Sequence, residues 1–262
     1  MGDLPRGPVP RVEVQWSHRE FLDAVEPDTA MMKLTHARRL VKRDESLADF
    51  FGPDTTVITT STVSDENLNL ITWERELAIV EELEPAFHVP TDYPTYQDDD
   101  DDERFRNVQN CMEGTLWMAD RLADAETDLI PLVKGFDRRE RELCYRTAEE
   151  LGVERCAFYG VQYFDGAIRI DDLVTDVSTI ADESGFSILL IGLMSPTTLR
   201  RMPPEVVAAA GQTAWRQEIK PRKHDPATMR HVYDEIAEDV TAALSQPHLG
   251  GVDGDRAASA DG

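Results

Sequence analysis

Short apolar runs alternating with helical patterns constrain this fold more than any other feature of the chain. Eight runs stand out: Val12–Trp16, Met31–Leu34, Thr56–Thr60, Ala86–Val89, Leu129–Lys134, Cys156–Tyr159, Ser187–Leu193 and Val206–Ala210. They are too short for stable helices, and most are rich in Val, Ile and aromatic residues that suit a pleated surface, so they predict strands. Val206–Ala210 is alanine-rich and is also compatible with a helix.

Helical patterns fill the gaps. Thr72–Leu83 opens on Thr72-Trp-Glu-Arg-Glu, an imperfect capping box with Arg75 where Glu would be ideal. Phe105–Ala123 places Val108, Met112, Leu116 and Ala119 on one stripe, and Asp137–Leu151 stops at Gly152, a residue suited to a helix C-terminus. His18–Ala24, Asp171–Ala181, Ser195–Arg201 and Pro226–Leu244 complete the set. The acidic run Asp98–Glu103 reads as a solvated lead into the helix at Phe105, where carboxylates favour the positive end of the helix dipole.

Eight strands alternating with helices predict an α/β protein of the TIM type: one (β/α)8 barrel, complete or incomplete, over residues 12–246. The runner-up is an open doubly wound sheet, but no GxGxxG follows any strand. Residues 1–11 read as a flexible tail and 247–262 as a disordered one. In a barrel the chemistry gathers where strands end. Those positions hold Thr59-Thr60-Ser61, Thr91-Asp92-Tyr93, Lys134-Gly135, Tyr159-Gly160-Val161-Gln162 and Gly211-Gln212. Asp92, Lys134, Gln162 and Gln212 are therefore expected at one mouth. A carboxylate, an amide and glycine-exposed backbone suit a planar heterocycle with donor and acceptor edges.

Charge sets the surroundings. The 262 residues carry 51 acidic against 27 basic side chains, a formal charge of −24, and only five lysines. Such a chain looks like a haloarchaeal cytosolic protein, in which molar salt shrinks the Debye length to roughly 3 Å and screens self-repulsion. The same screening removes charge as a guide to nucleic-acid binding. Cys111, Cys144 and Cys156 form no CxxC pair, which argues against a disulfide framework or a cysteine-rich zinc site. No metal or cofactor is expected. Without a long apolar run or a signal-like N-terminus, the chain is expected to be soluble and cytoplasmic, with no membrane contact.

The order of segments across about residues 56–222 resembles the tRNA-guanine transglycosylase superfamily, including its DNA-modifying 7-deazaguanine branch. Thr72-Trp-Glu-Arg-Glu-Leu followed by Ala-Phe-His-Val-Pro-Thr-Asp92-Tyr-Pro is similar to the family's helix, strand and base-recognising aspartate. Cys111–Leu122 is similar to its aromatic-bearing helix, Leu132-Val-Lys-Gly-Phe-Asp to its glutamine-and-glycine strand end, and Tyr159-Gly160-Val161 to its Gly-Gly turn. Leu190-Ile-Gly-Leu-Met-Ser-Pro is similar to its Gly-x-Gly-x-Pro strand end. The resemblance implies a pentosyltransferase that exchanges guanine for a 7-deazaguanine base in DNA or tRNA. Asp92 would be the catalytic or base-recognising acid, with Lys134, Gly135, Gly160, Gln162 and Arg216 binding substrate.

Departures from the family keep a second class open. Val57–Ser64 carries hydroxyls where the family has an aspartate, Lys134 replaces a glutamine, and Arg216 stands at the nucleophilic aspartate. A non-catalytic base-binding or partner subunit fits those changes, unless Asp65 or Asp165 supplies the missing acid. A protein partner or a homodimer stays open. Asp92 could instead be a turn residue before Tyr93-Pro94. Gly135 and Gly160 could admit a ligand or merely turn the chain, while His88 and Trp215 read as packed core residues.

Overall fold

The computed structural model describes residues 2–68, 70–164 and 168–245 of the chain. In chain order the elements are β1 (Gly7–Val12), α1 (Trp16–Val25), β2 (Thr29–Lys33), α2 (Leu34–Val41), α3 (Leu47–Phe51), β3 (Thr56–Thr60), α4 (Asp65–Leu68) and α5 (Trp73–Leu83). Next come β4 (Phe87–Val89), α6 (Asp101–Arg121), β5 (Asp128–Leu129), β6 (Leu132–Val133), α7 (Arg138–Glu150), β7 (Arg155–Tyr159) and a 3-10 turn at Val161–Phe164. The chain ends through α8 (Ile170–Ser184), β8 (Ser187–Ile191), α9 (Pro196–Leu199), β9 (Val206–Gly211), α10 (Thr213–Glu218) and α11 (Pro226–Leu244).

The nine strands form one all-parallel curled sheet in the order β5-β4-β3-β2-β1-β9-β8-β7-β6. Its two outermost strands are halves of the single run expected at Leu129–Lys134, divided at Ile130-Pro131. The first half pairs with β4 and the second with β7, so one broken strand joins both edges of the sheet. This is the expected TIM-type α/β barrel, incomplete at its broken strand. Proline supplies no amide hydrogen, which explains the break, yet its carbonyl still accepts from Ala157 N at 2.8 Å.

The first strand corrects the sequence-based boundary. It spans Gly7–Val12 rather than Val12–Trp16, so residues 7–11, expected in a tail, lie in the sheet. Pro8 and Pro10 pair with β9, and pairing with β2 begins only at Arg11, past both rings. Neither proline therefore sits where both neighbouring strands need an amide donor. The preceding residues are tied down as well: Leu4 is buried, and Arg155 donates to the Gly2 carbonyl. Residues 247–262, expected to be disordered, lie outside the described residues.

Val206–Gly211 is a strand despite its alanines, because its small side chains fit a fully buried position between β1 and β8. Helices α2, α3, α4 and α10 had no counterpart among the expected helices. The buried stripe of α6 runs through Val108, Cys111, Met112, Thr115 and Met118, rotated slightly from the expected one. Two main cores result. One contains Val9, Met31 and Ile58 with the β7–β9 half of the molecule. The other packs Val12, Met32 and Val57 against side chains of α1, α2, α3 and α11.

Candidate functional site

A cavity of about 560 Å³ opens beyond the C-terminal ends of β4, β6 and β7. Its aromatic walls come from three segments: Tyr93 and Tyr96 after β4, Phe136 after β6, and Phe158, Tyr159, Tyr163 and Phe164 around the end of β7. Among the described residues three carboxylates line it, Asp92, Glu66 and Asp176. Flat apolar walls with a few fixed polar groups are the usual make-up of a small-molecule site, and the volume lies in the range of such sites.

A buried network outside the barrel fixes the backbone leading to Asp92. Glu76, on the Ile79–Val80–Leu83 face of α5, is 2% exposed. Its Oε1 accepts from Ser61 Oγ, from His88 Nε2 at 2.8 Å and from Thr91 N at 2.8 Å. The other ring nitrogen of His88, Nδ1, is hydrogen-bonded to Thr59 Oγ1, 2.8 Å away. Both the histidine and the hydroxyl are thus packed and satisfied, as expected for His88. The Thr91 carbonyl accepts from Cys111 Sγ at 2.7 Å. Thr91 itself is held at φ +43°, a region that β-branched residues avoid. Gly114 of α6 makes room for it: a Cβ there would lie 2.4 Å from Thr91 Cγ2. Helices α5 and α6 together therefore hold the residue before Asp92 in a conformation it would not choose.

Lys134 meets Asp92 from the C-terminal end of β6. Its ammonium donates to Asp92 Oδ1 and to the Tyr93 carbonyl, and the two side chains are only 12% and 7% exposed. Burial raises the pKa of the Asp92 carboxyl, opposed by Lys134 and by the Tyr93 amide. Burial pulls Lys134 down, but the Asp92 carboxylate together with the Cys111 and Cys144 thiols leaves it raised on balance. The contact sets an ammonium against a carboxyl group, and the two groups titrate together.

Gly135 follows at φ +102°, with Glu140 Cβ only 2.4 Å from where its own Cβ would stand. The crowding belongs to a tight turn. Glu140 Oε2 accepts from Phe136 N at 2.7 Å, Asp137 and Glu140 form a capping box, and Glu140 Oε1 accepts from Arg104 Nε at 2.7 Å. This turn aims Lys134 and Phe136 at the cavity.

The structure gathers Asp92, Lys134, Gly135 and Gln162 on one cavity. Gly160 and Arg216 are not among its lining residues. Gly160 donates to the Ile191 carbonyl at 2.8 Å and sits beneath Leu173, where a Cβ would come within 3.1 Å of Cδ1. Its smallness serves packing between α8 and β8. Arg216 is exposed on α10 and donates to Gln212 Oε1 at 3.1 Å, and Gln212 in turn donates to Glu13 at 3.0 Å. Trp215 is buried as expected, stacked on Phe21 with centroids 4.1 Å apart. Asp165 lies outside the described residues, and Asp65 opens α4.

Sequence reasoning passed over Glu66, Asp176, Glu76 and Glu140. Glu76 left a usable signal, an acid on the apolar face of a helix. Glu66 and Asp176 left none in a chain so rich in acids. Among the described residues no helix is long and apolar enough to cross a membrane, and no cluster of three or more His, Cys, Asp or Glu could hold a metal ion.

Fold and cavity define a class: a TIM-type barrel whose strand-end loops enclose an aromatic cavity over a buried lysine–aspartate pair. No protein-family model matches the chain, and no curated protein matches it significantly.

Proposed function

We propose that the cavity binds a purine-type base, and that the protein exchanges guanine for a 7-deazaguanine base in DNA or tRNA. The observation carrying this reading is the Asp92–Lys134 pair at an aromatic-walled cavity. Guanine presents a carbonyl acceptor beside amino and ring N–H donors along one edge. Asp92 offers an acceptor, and Lys134 has one ammonium hydrogen beyond those given to Asp92 and Tyr93, so the pair complements that edge. Base exchange also needs a carboxylate at the sugar: its oxygen bonds C1′ as the C1′–N9 bond breaks, and the leaving guanine takes a proton from water at N9. The incoming base attacks C1′ through N9, frees the carboxylate and returns its N9 proton to water. Glu66, exposed at the cavity, is our candidate for that role, with Asp92 gripping the base.

One observation favours the non-catalytic alternative. Asp92 is already neutralised by Lys134, which suits gripping a base better than attacking a sugar. Labelled-guanine exchange into tRNA and DNA at molar salt separates the two. Exchange that falls at least about a hundredfold in Asp92→Asn and in Glu66→Gln supports the enzyme. Guanine binding without exchange, lost in Asp92→Asn, supports the base-binding protein. Neither binding nor exchange by the folded wild type refutes both.

A further inference from the structure

Positive charge elsewhere at the barrel mouth lacks an anion. Side chains alternate across a strand. Val9, Met31 and Ile58 share one core, whereas Val12, Met32 and Val57 face the outer helices, so Arg11, Lys33 and Thr60 point into the barrel. Arg11 stands opposite Met31 in the register and Lys33 opposite Thr60, near the strand ends. Arg11 Nε and Nη1 are fully buried and meet no hydrogen-bond partner among the described residues. Lys33 is half-buried and lies two residues beyond Met31, the register partner of Arg11, on the same face of the sheet, so the two cations are neighbours, and burial and then Arg11 lower its pKa. In the register Lys33 lies beside Thr60 and Thr60 beside Val89, three residues before Asp92, which puts the ammonium on the side of the mouth that carries the cavity's acid.

The other cations of this region are committed. Lys134 is held by Asp92, and Arg141 forms a two-pronged pair with Glu183 at 2.8 and 3.0 Å. Glu13, just past the end of β1, accepts from Gln212 at 3.0 Å. A chain with 51 acidic residues has carboxylates to spare for balancing Arg11 and Lys33. Two unmet guanidinium N–H groups beside a second cation are costly unless something anionic completes them. A phosphate oxygen pair matches the fork of a guanidinium, with the ammonium as a point charge beside it.

We propose that Arg11 and Lys33 form an anion site for the phosphate group of a phosphoester. Resting on the base-binding reading above, that phosphate belongs to the nucleotide whose base enters the aromatic cavity. The site is then divided: Asp92 and Lys134 take the base, Arg11 and Lys33 the phosphate, and the sugar lies between them.

Calorimetric titration of the full chain with inorganic phosphate, guanine and guanosine 5′-monophosphate tests this. The titrations are run in about 1 M potassium chloride, which screens the net charge. Arg11→Gln and Lys33→Gln should each weaken phosphate and nucleotide binding by about tenfold or more while guanine binding is kept. Phosphate affinity unchanged in both variants, or no phosphate and no nucleotide binding by the wild type, overturns the site. Should Arg11→Gln fail to fold, the half-buried Lys33→Gln decides. Loss of guanine binding alone, with the phosphate effects intact, refutes the base reading and keeps the anion site. A nucleotide that binds no tighter than inorganic phosphate refutes the nucleotide assignment.

Discussion

Removing the carboxylate of Glu76 should damage both the fold and the site, and the structure sets the size of the loss. In Glu76→Ala three donors lose one shared acceptor: the Ser61 hydroxyl, the His88 imidazole at 2.8 Å and the Thr91 amide at 2.8 Å. All sit where Glu76 is 2% exposed, so water reaches them only through the cavity the substitution leaves. An unmet buried donor costs about 1–3 kcal/mol, and the three are coupled, so the expected destabilisation is about 3–5 kcal/mol. For a domain of this size that corresponds to a melting temperature lower by roughly 6–20 °C. Glu76→Gln keeps an acceptor of the same shape and should lose about 1–2 kcal/mol. Denaturant unfolding at constant salt measures both. Thr91 should also relax from φ +43° once its amide is released, so guanine titration of the folded fraction of Glu76→Ala should show weaker binding, with Glu76→Gln close to wild type. A Glu76→Ala protein within about 1 kcal/mol of wild type would refute the network as the anchor of Asp92.

Two further outcomes follow from buried charge. Lys134→Met leaves Asp92 buried without its cation and should cost about 3–5 kcal/mol near neutral pH, whereas Asp92→Asn combined with Lys134→Met should recover most of that loss. Unfolding curves showing simple additivity would contradict the pairing. His18 titrates at about 4 instead of 6.5, because burial disfavours its imidazolium more than Glu13 supports it. Above pH 6.5 both folded and unfolded chains hold it neutral. As pH falls from 6.5 towards 4 only the unfolded chain takes up the proton, so about 2 kcal/mol of stability drains away across that window. His18→Gln should flatten this part of the profile, and equal slopes for variant and wild type would refute the assignment.

Periodicity made most of the barrel legible. Strand runs such as Thr56–Thr60 and Ser187–Ile191 announce themselves because each must match a pleated, wholly buried environment, and hydrophobicity at that spacing is a local property. The cap at Thr72 and the stop at Gly152 are equally local, set by backbone groups within one helical turn. The first strand was hidden because two prolines normally exclude a central position. Only the staggered pairing with β9 and then β2 makes them harmless.

The site divides in the same way. Asp92, Lys134, Gly135 and Gln162 could be marked from the sequence because they follow strand runs, and a parallel barrel collects such positions at one end. That Gly160 packs under Leu173 and Arg216 reaches solvent depends on how far each loop travels, which no local pattern records. The sequence alone thus determined the alternation of elements and the end of the barrel where polar groups would meet. Tertiary structure decided which charges met: it paired Lys134 with Asp92 across 42 residues, hung Thr91 from Glu76 across 15, and left Arg11 Nε and Nη1 without a partner among the described residues. Local geometry follows from neighbouring residues, whereas the pairing of buried charges depends on distances between elements that exist only once the chain has closed on itself.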